Sequence, residues 1–302
     1  MDNDGKLLEL ARNLVKSARF GWKYRGVTVL PAAEGNRLAG EALRRGEPFC
    51  FGRCGATEMR TVAEYLQKGG RDFSDRIRRE IRDLSGVFPT DDDTLRRFCE
   101  LYVDCAHKAD LLALWDVGAE REVIRECTDT RFTQLRALEP YYHEEPWSAA
   151  LAGKKVLVVH PFKQSILSQY GKREQLFPGK NILPEFASLT VVQAVQGLAG
   201  QDTGYDSWFD ALSAMEGQMD AADYEVAIIG AGAYSLPLAA HAKQTGHMAV
   251  QMSGATQLLF GIKGKRWDEH PVIGKLYNDA WVRPQTSEQP AAKEKVEGGS
   301  YW

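Results

Sequence analysis

Apolar residues fall along this chain in two rhythms, continuous short runs and the three-to-four spacing of helix faces. Phe49 to Gly52, Asp110 to Trp115, Val156 to Val159, Leu189 to Val192 and Val226 to Ile229 are runs of strand length. They lack polar alternation, which predicts strands covered on both faces. Helical spacing recurs over Asn36 to Arg45, at Met59, Val62, Ala63 and Leu66, and at Phe73, Ile77, Ile81 and Leu84. It returns at Leu95, Phe98, Tyr102 and Cys105, over Gln164 to Lys172, at Trp208, Leu212, Met215 and Met219, and over Leu236 to Gln244. Strands alternating with helices predict an α/β fold, Rossmann-like, with a mostly parallel sheet flanked by helices. Ala137 to Tyr142 reads as a further strand, placed near an edge because Pro140 interrupts it.

The same pattern sets the expected organisation as a single large domain. Leu7, Leu10, Leu14, Val15 and Ala18, with Lys6, Arg12, Lys16 and Arg19 between them, make residues 7 to 24 an amphipathic helix. Residues 1–45 are thus expected to be a helical N-terminal extension, 46–270 the α/β domain, and 271–302 a tail. Pro284 to Lys295 is polar and loop-like. The final Tyr301 and Trp302 suggest that the tail docks back onto the domain. No internal repeat or low-complexity tract interrupts this scheme.

Composition narrows the function classes. With 302 residues, 44% hydrophobic and 26% charged, the chain can bury a substantial core. A formal charge of -3 provides no overall basic field, which argues against wholesale nucleic-acid binding. Five cysteines in no zinc-ligand spacing read as reduced thiols. No apolar run approaches the roughly 20 residues of a membrane span, and the acidic start is unlike a signal peptide. The expected location is cytoplasmic. Peripheral contact with the inner face of a membrane through the basic amphipathic helix stays open, as does a homo-oligomer.

Candidate chemistry gathers at strand tips, where open α/β sheets bind ligands. Arg53, Gly55, Thr57 and Glu58 flank the turn after the first core strand. His160 and Lys163 follow Val156 to Val159, and Gly230 and Gly232 follow Val226 to Ile229. A helix entered from such a turn offers unpaired N–H groups and a positive dipole end to a phosphate or carboxylate. Other chemistries lack parts. No glycines flank Ser235 as in a nucleophile elbow, and Gly261 to Arg266 lacks the Walker A spacing. The dinucleotide fingerprint would need an acid near the end of the next strand, where Val250-Gln251-Met252-Ser253 has none. Asp91-Asp92-Asp93 matches a metal-binding D-x-D pattern but precedes a helix, as capping acids do. His143-Glu144-Glu145 reads as surface.

Taken together these residues resemble a known family, the GT-D fold and GT-D-like bacterial glycosyltransferases. The resemblance rests on Phe51-Gly-Arg-Cys-Gly-Ala-Thr-Glu58, on His160-Pro-Phe-Lys163 with Gln169-Tyr170, and on Ala227-Ile-Ile-Gly-Ala-Gly-Ala-Tyr234 followed by Ser253 to Trp267. It covers roughly residues 45 to 270. It implies a Rossmann-type sheet that binds a nucleotide-sugar donor, a UDP-sugar by the resemblance, and transfers the sugar to a glycan or lipid-linked acceptor. The setting would be surface polysaccharide assembly or protein glycosylation. Tyr234 and Gln257 then join the donor-binding set, and Arg53 and Glu58 the catalytic one. The chain departs from the family's Asp-x-Glu, having Ala56-Thr57-Glu58. One carboxylate is a poor site for Mn or Mg, which demand several oxygen ligands. Without a metal, Arg53, Lys163, Lys265, Arg266 and the helix after Gly232 would neutralise the diphosphate. Glu58 would orient or deprotonate the acceptor hydroxyl. Two alternatives remain: a nucleotide-sugar-binding or scaffold protein without catalysis, and a dinucleotide-dependent enzyme.

Overall fold

The computed structural model describes residues 18–290, 293–295 and 298–302. Eight strands form one sheet: β1 (Val29–Leu30), β2 (Phe49–Arg53), β3 (Leu111–Leu114), β4 (Arg131–Gln134), β5 (Lys155–His160), β6 (Ser188–Gln193), β7 (Val226–Ile229) and β8 (Met248–Gln251). Their spatial order is β1-β4-β3-β2-β8-β7-β5-β6, and every pairing is parallel. The fold is α/β and Rossmann-like. Among the described residues, seven longer helices flank the sheet: α1 (Ala32–Arg45), α2 (Ala56–Lys68), α3 (Asp75–Ser85), α4 (Asp92–His107), α5 (Lys163–Tyr170), α6 (Trp208–Asp220) and α7 (Ser235–Gln244).

Side chains on a strand point alternately to its two faces, so the apolar runs feed two cores at once. Leu157, Val159, Ala227, Ile229, Ala249, Leu112 and Leu114 meet one core, with Met59 of α2, Ile81 of α3, Phe98 of α4, Trp208 of α6 and Leu238 of α7. Val156, Val158, Val226, Ile228, Met248, Val250, Leu111 and Ala113 meet the other, with Leu43 of α1, Trp147, Ile166 of α5, Phe260, Trp281 and Trp302. This double burial is why the strands read as continuous apolar runs.

The structure differs from the sequence reading at the sheet's first edge. Ala137 to Tyr142 is not a strand but parts of two 3-10 turns, Leu135–Leu138 and Pro140–Tyr142. Pro140 begins the second turn, where its fixed φ and missing N–H are tolerated. The strand in this region is β4, Arg-Phe-Thr-Gln, of which only Thr133 is buried. Its pairing with β3 and β1 supplies what its composition does not. Because β1 belongs to the same sheet, the packed domain begins well before residue 46. Residues 7–17 of the expected first helix lie outside the described residues, and 18–23 are helical. This end is tied down where Tyr24 donates its hydroxyl to the Glu120 carboxylate and Lys23 pairs with Asp116 at 2.7 Å.

The last segment lies against the second core. Trp281 donates its indole N–H to the Leu176 carbonyl at 3.0 Å, and the Gln169 amide donates to the Ala280 carbonyl at 2.9 Å. Among the described residues, no helix is long and apolar enough to cross a membrane. All five cysteines are free thiols.

Trp208 is the largest single test of the first core. It is fully buried, stacks on Tyr234 at 4.8 Å between centroids, and meets Phe98 edge-on at 5.1 Å. Trp208→Ala is expected to cost about 3–5 kcal/mol of unfolding free energy, and Trp208→Phe less than half of that. Urea denaturation of the two variants against wild type measures both.

Candidate active site

Parallel strands in one sheet end at the same edge, and the order β2-β8-β7 places three strand-to-helix turns side by side. The turn after β2 carries Arg53, Gly55, Thr57 and Glu58, the turn after β7 carries Gly232, and the turn after β8 carries Ser253, Gly254 and Ala255. Together they floor a cleft of about 270 Å³. Its walls come from Trp115, from Leu138 and Glu139, and from Arg266, Trp267 and Tyr301. Gln251, 2% exposed at the tip of β8, joins the turns: its Oε1 accepts the Arg53 backbone N–H at 2.7 Å, and its amide donates to the Ser253 hydroxyl. A dinucleotide enzyme would place its ribose-binding acid near this position. Here the position is a neutral amide with its hydrogen bonds already committed to the protein.

The cleft holds charges of both signs. The Arg53 guanidinium lies 4.6 Å from the centre of the Trp115 ring, which fixes its plane while leaving its charge in the cleft. Trp115 is itself held by its indole N–H, which donates to the Cys54 carbonyl at 2.8 Å. Arg266 lies against Trp267 and Tyr301, at 5.3 and 4.9 Å from their centroids. Tyr301 reaches the cleft because Gly254 lets it: a Cβ there would stand 2.4 Å from its ring.

Glu58 is 7% exposed and occupies the third position of α2, whose N-cap is Gly55. Its carboxylate folds back over that cap, with Oε2 only 1.9 Å from where a Cβ on Gly55 would be, so Gly55 is required for the approach. The Gly55 N–H donates to the Tyr102 hydroxyl at 2.9 Å. Burial and the neighbouring Glu58 charge push that phenol well above its usual range, so it stays protonated. On the facing wall, burial raises the Glu139 carboxyl above the ordinary carboxylate range, against the pull of the Arg53 and Arg136 charges.

Arg53, Gly55, Thr57, Glu58, Gly232 and Arg266 therefore meet in one cleft, whereas His160, Lys163, Gly230, Tyr234, Gln257 and Lys265 do not line it. His160 is 3% exposed and spends its Nδ1 accepting the Phe162 N–H at 3.0 Å. Burial drives its pKa down to about 3, so it carries no charge for a phosphate. Lys163 starts α5, but the N-terminus of that helix is already capped by an internal anion. The Glu288 carboxylate accepts from the Gln164 and Ser165 N–H groups and the Ser165 hydroxyl. Gly230 is held below the cleft, where the Thr256 hydroxyl donates to the adjacent Ile229 carbonyl at 3.2 Å. Tyr234 stacks on Trp208 in the core. Gln257 is a clamp: its amide nitrogen reaches the Ile262, Lys263 and Tyr301 carbonyls at 3.3, 3.2 and 3.1 Å, drawing the chain's end to the cleft. Lys265 is exposed outside the cleft.

Trp115, Glu139, Ser253 and Tyr301 were missing from the sequence-derived set. Tyr301 had a signal, as an aromatic in a polar tail. Glu139 had none, because the segment around it mimics an edge strand.

The donor set does not make a metal cage. No three His, Cys, Asp or Glu groups that could hold a metal ion come together among the described residues. The other acidic match is a cap: Asp91 accepts from the Thr94 N–H at 3.0 Å, and Asp92 accepts from the Asp72 N–H at 2.9 Å.

A neutral buried histidine links stability to pH. The folded pKa of His160 lies below its unfolded value of roughly 6.5, so its contribution is complete above that pH. It is lost as the pH falls toward about 3, because only the unfolded chain takes up the proton. Between pH 6.5 and 4, wild type should lose up to about 1.4 kcal/mol per pH unit more than His160→Asn. Denaturant titrations of both proteins at several pH values check the difference.

Comparisons with known proteins place the chain only loosely. No protein-family model matches it, and no curated protein matches it. Among solved structures it is similar to the selenomethionine-substituted structure of domain of unknown function 1792 (DUF1792), at 11% identity and a TM-score of 0.48, with 92% of this chain and 98% of that one covered. Such an identity establishes no residue-by-residue correspondence.

Proposed function

We propose that the protein is a glycosyltransferase that takes a nucleotide-sugar donor, a UDP-sugar by sequence resemblance, in the cleft at the tips of β2, β8 and β7. The observation that carries this reading is the convergence of Arg53, Glu58, Gly232 and Arg266, distant in sequence, on one cleft with aromatic walls. Two guanidinium groups suit a diphosphate, whose leaving charge they would stabilise as it develops. Trp267 and Tyr301 offer faces on which a base can stack. Glu58 presents a carboxylate beside this set, suited to a sugar or acceptor hydroxyl. The acceptor, a glycan or lipid-linked saccharide hydroxyl, would enter from the open side. No step here is assigned to a metal.

A second reading has its own support. Ala56 in place of an acid and the lack of a metal cage fit a protein that binds a nucleotide sugar without turning it over. The Gln251 position disfavours the dinucleotide alternative, for which titration with NAD should show no saturable binding.

Calorimetric titration with UDP, UDP-glucose and UDP-N-acetylglucosamine, with and without Mn, tests the proposal. Binding by wild type is expected, with Arg53→Gln weakening it by about 1.5–3 kcal/mol, or ten- to hundredfold in Kd. No binding of any nucleotide or sugar nucleotide in either condition would sink the reading. Binding without nucleotide release, across acceptors and metals, would favour the second one.

A further inference from the structure

Two carboxylates face the cleft, and they are held differently. Glu58 sits over the N-terminus of α2, tucked against its own cap, where it complements the helix dipole and is fixed by the close approach to Gly55. Glu139 stands on the opposite wall between the two 3-10 turns. Its backbone is pinned from both sides: its N–H donates to the Arg136 carbonyl at 3.2 Å, and its carbonyl accepts the Tyr142 N–H at 3.2 Å. Pro140 follows and restricts its backbone to extended values, φ -100° and ψ 97°.

Glu139 and Glu58 both differ from the sequestered carboxylates that tie the fold together, and of the two only Glu58 is folded against a helix start. Glu120 accepts from the Tyr24 hydroxyl and the Trp115 and Asp116 N–H groups, and Glu288 from Ser165 and Gln164. The Glu139 carboxylate is half-buried, yet no hydrogen bond or ion pair to a described residue engages it. A sequestered acid without a standing partner is costly to fold. Facing a cleft, it is also what a proton acceptor requires: an oxygen free to receive a hydrogen bond, in surroundings drier than water.

We propose that Glu139 is the general base of this cleft, a role that rests on the glycosyl-transfer reading above. The acceptor hydroxyl gives its proton to a Glu139 carboxylate oxygen, and the hydroxyl oxygen forms a bond to the anomeric carbon of the donor. The bond from that carbon to the diphosphate oxygen breaks, and its electron pair leaves with the nucleoside diphosphate beside Arg53 and Arg266. Water can replace the acceptor in the same step. One displacement from the face opposite the leaving group inverts the anomeric centre. Glu58 is left the task of positioning sugar or acceptor. The raised pKa of Glu139 agrees with this division: a carboxyl pushed up by burial is a stronger base once ionised, and the Arg53 charge pulls in the opposite direction.

The experiment is nucleotide release from UDP-glucose and UDP-N-acetylglucosamine by the full chain, with water as acceptor, across pH 4 to 9. Wild-type activity should rise with pH through an acid limb displaced upward from an ordinary carboxylate, and NMR of the released sugar should show inversion. In Glu139→Gln, kcat should fall about 10²- to 10⁴-fold and the acid limb should vanish, while UDP binds within about twofold of wild type by calorimetry. Glu139→Asp should recover part of the rate and the limb, which a merely structural role would not restore. A Glu139→Gln protein that keeps wild-type turnover and the same limb, or a product with retained configuration, overturns the assignment and leaves the functional reading standing. A wild-type protein that binds UDP-sugars and never releases nucleotide, with water or with any of a panel of saccharide acceptors and with or without Mn, overturns both.

Discussion

One ladder joins the two halves of this protein's sheet. Strands β1, β4, β3 and β2 form one half of the sheet and β8, β7, β5 and β6 the other, and among the described residues the only strand pairing between them is β2 with β8. Phe49 pairs with Met248, Cys50 with Ala249 and Phe51 with Val250, so the tips of β2 and β8 end level with each other. Beyond the ladder, Gln251 extends the join by accepting the Arg53 N–H. The cleft is the continuation of that seam past the sheet's edge. Its chemistry depends on the seam because Arg53 and Glu58 come from one half, and Gly232, Ser253 and Arg266 from the other.

Carboxylates meet both of these strand-tip helix starts. Glu58, from the first turn of α2 itself, folds over that start inside the cleft, whereas the start of α5 is capped by Glu288 from the C-terminal segment. An anion-binding position that the fold would offer at β5 has thus been used to anchor the tail. Other parts of that tail form the cleft's wall: Gln257 draws in the Tyr301 carbonyl, and Tyr301 lies on Gly254. The last residues act as structure on one side of the sheet and as site on the edge beside it.

Carboxylates show how burial sorts function from scaffold. Glu120 and Glu288 receive several hydrogen bonds each and tie distant segments, residue 24 to 120 and residue 165 to 288. Glu58 is held by the geometry of a helix start, a position any capping acid could occupy. Glu58 and Glu139 both face the cleft without a hydrogen bond or ion pair to a described residue, and Glu139 stands clear of any helix start. Local sequence would not separate the four, since a glutamate's partners are supplied by residues far along the chain.

The amino-acid sequence by itself determined the alternation of strands and helices, because doubly buried strands must be apolar throughout and helix faces must repeat every three to four residues. It also marked the turns at Arg53 to Glu58 and Gly230 to Gly232, whose glycines and position after a strand have local causes. The strand Arg131–Gln134 was not legible, since its stability comes from pairing with β3 and β1 rather than from its own residues. Tertiary structure alone decided which strand tips became neighbours. It withdrew His160 and Tyr234 into the core, gave the start of α5 to Glu288, and brought Glu139 and Tyr301 to the cleft. Those outcomes depend on strand order and on contacts spanning from tens of residues to more than 100, and no periodicity along the chain encodes them.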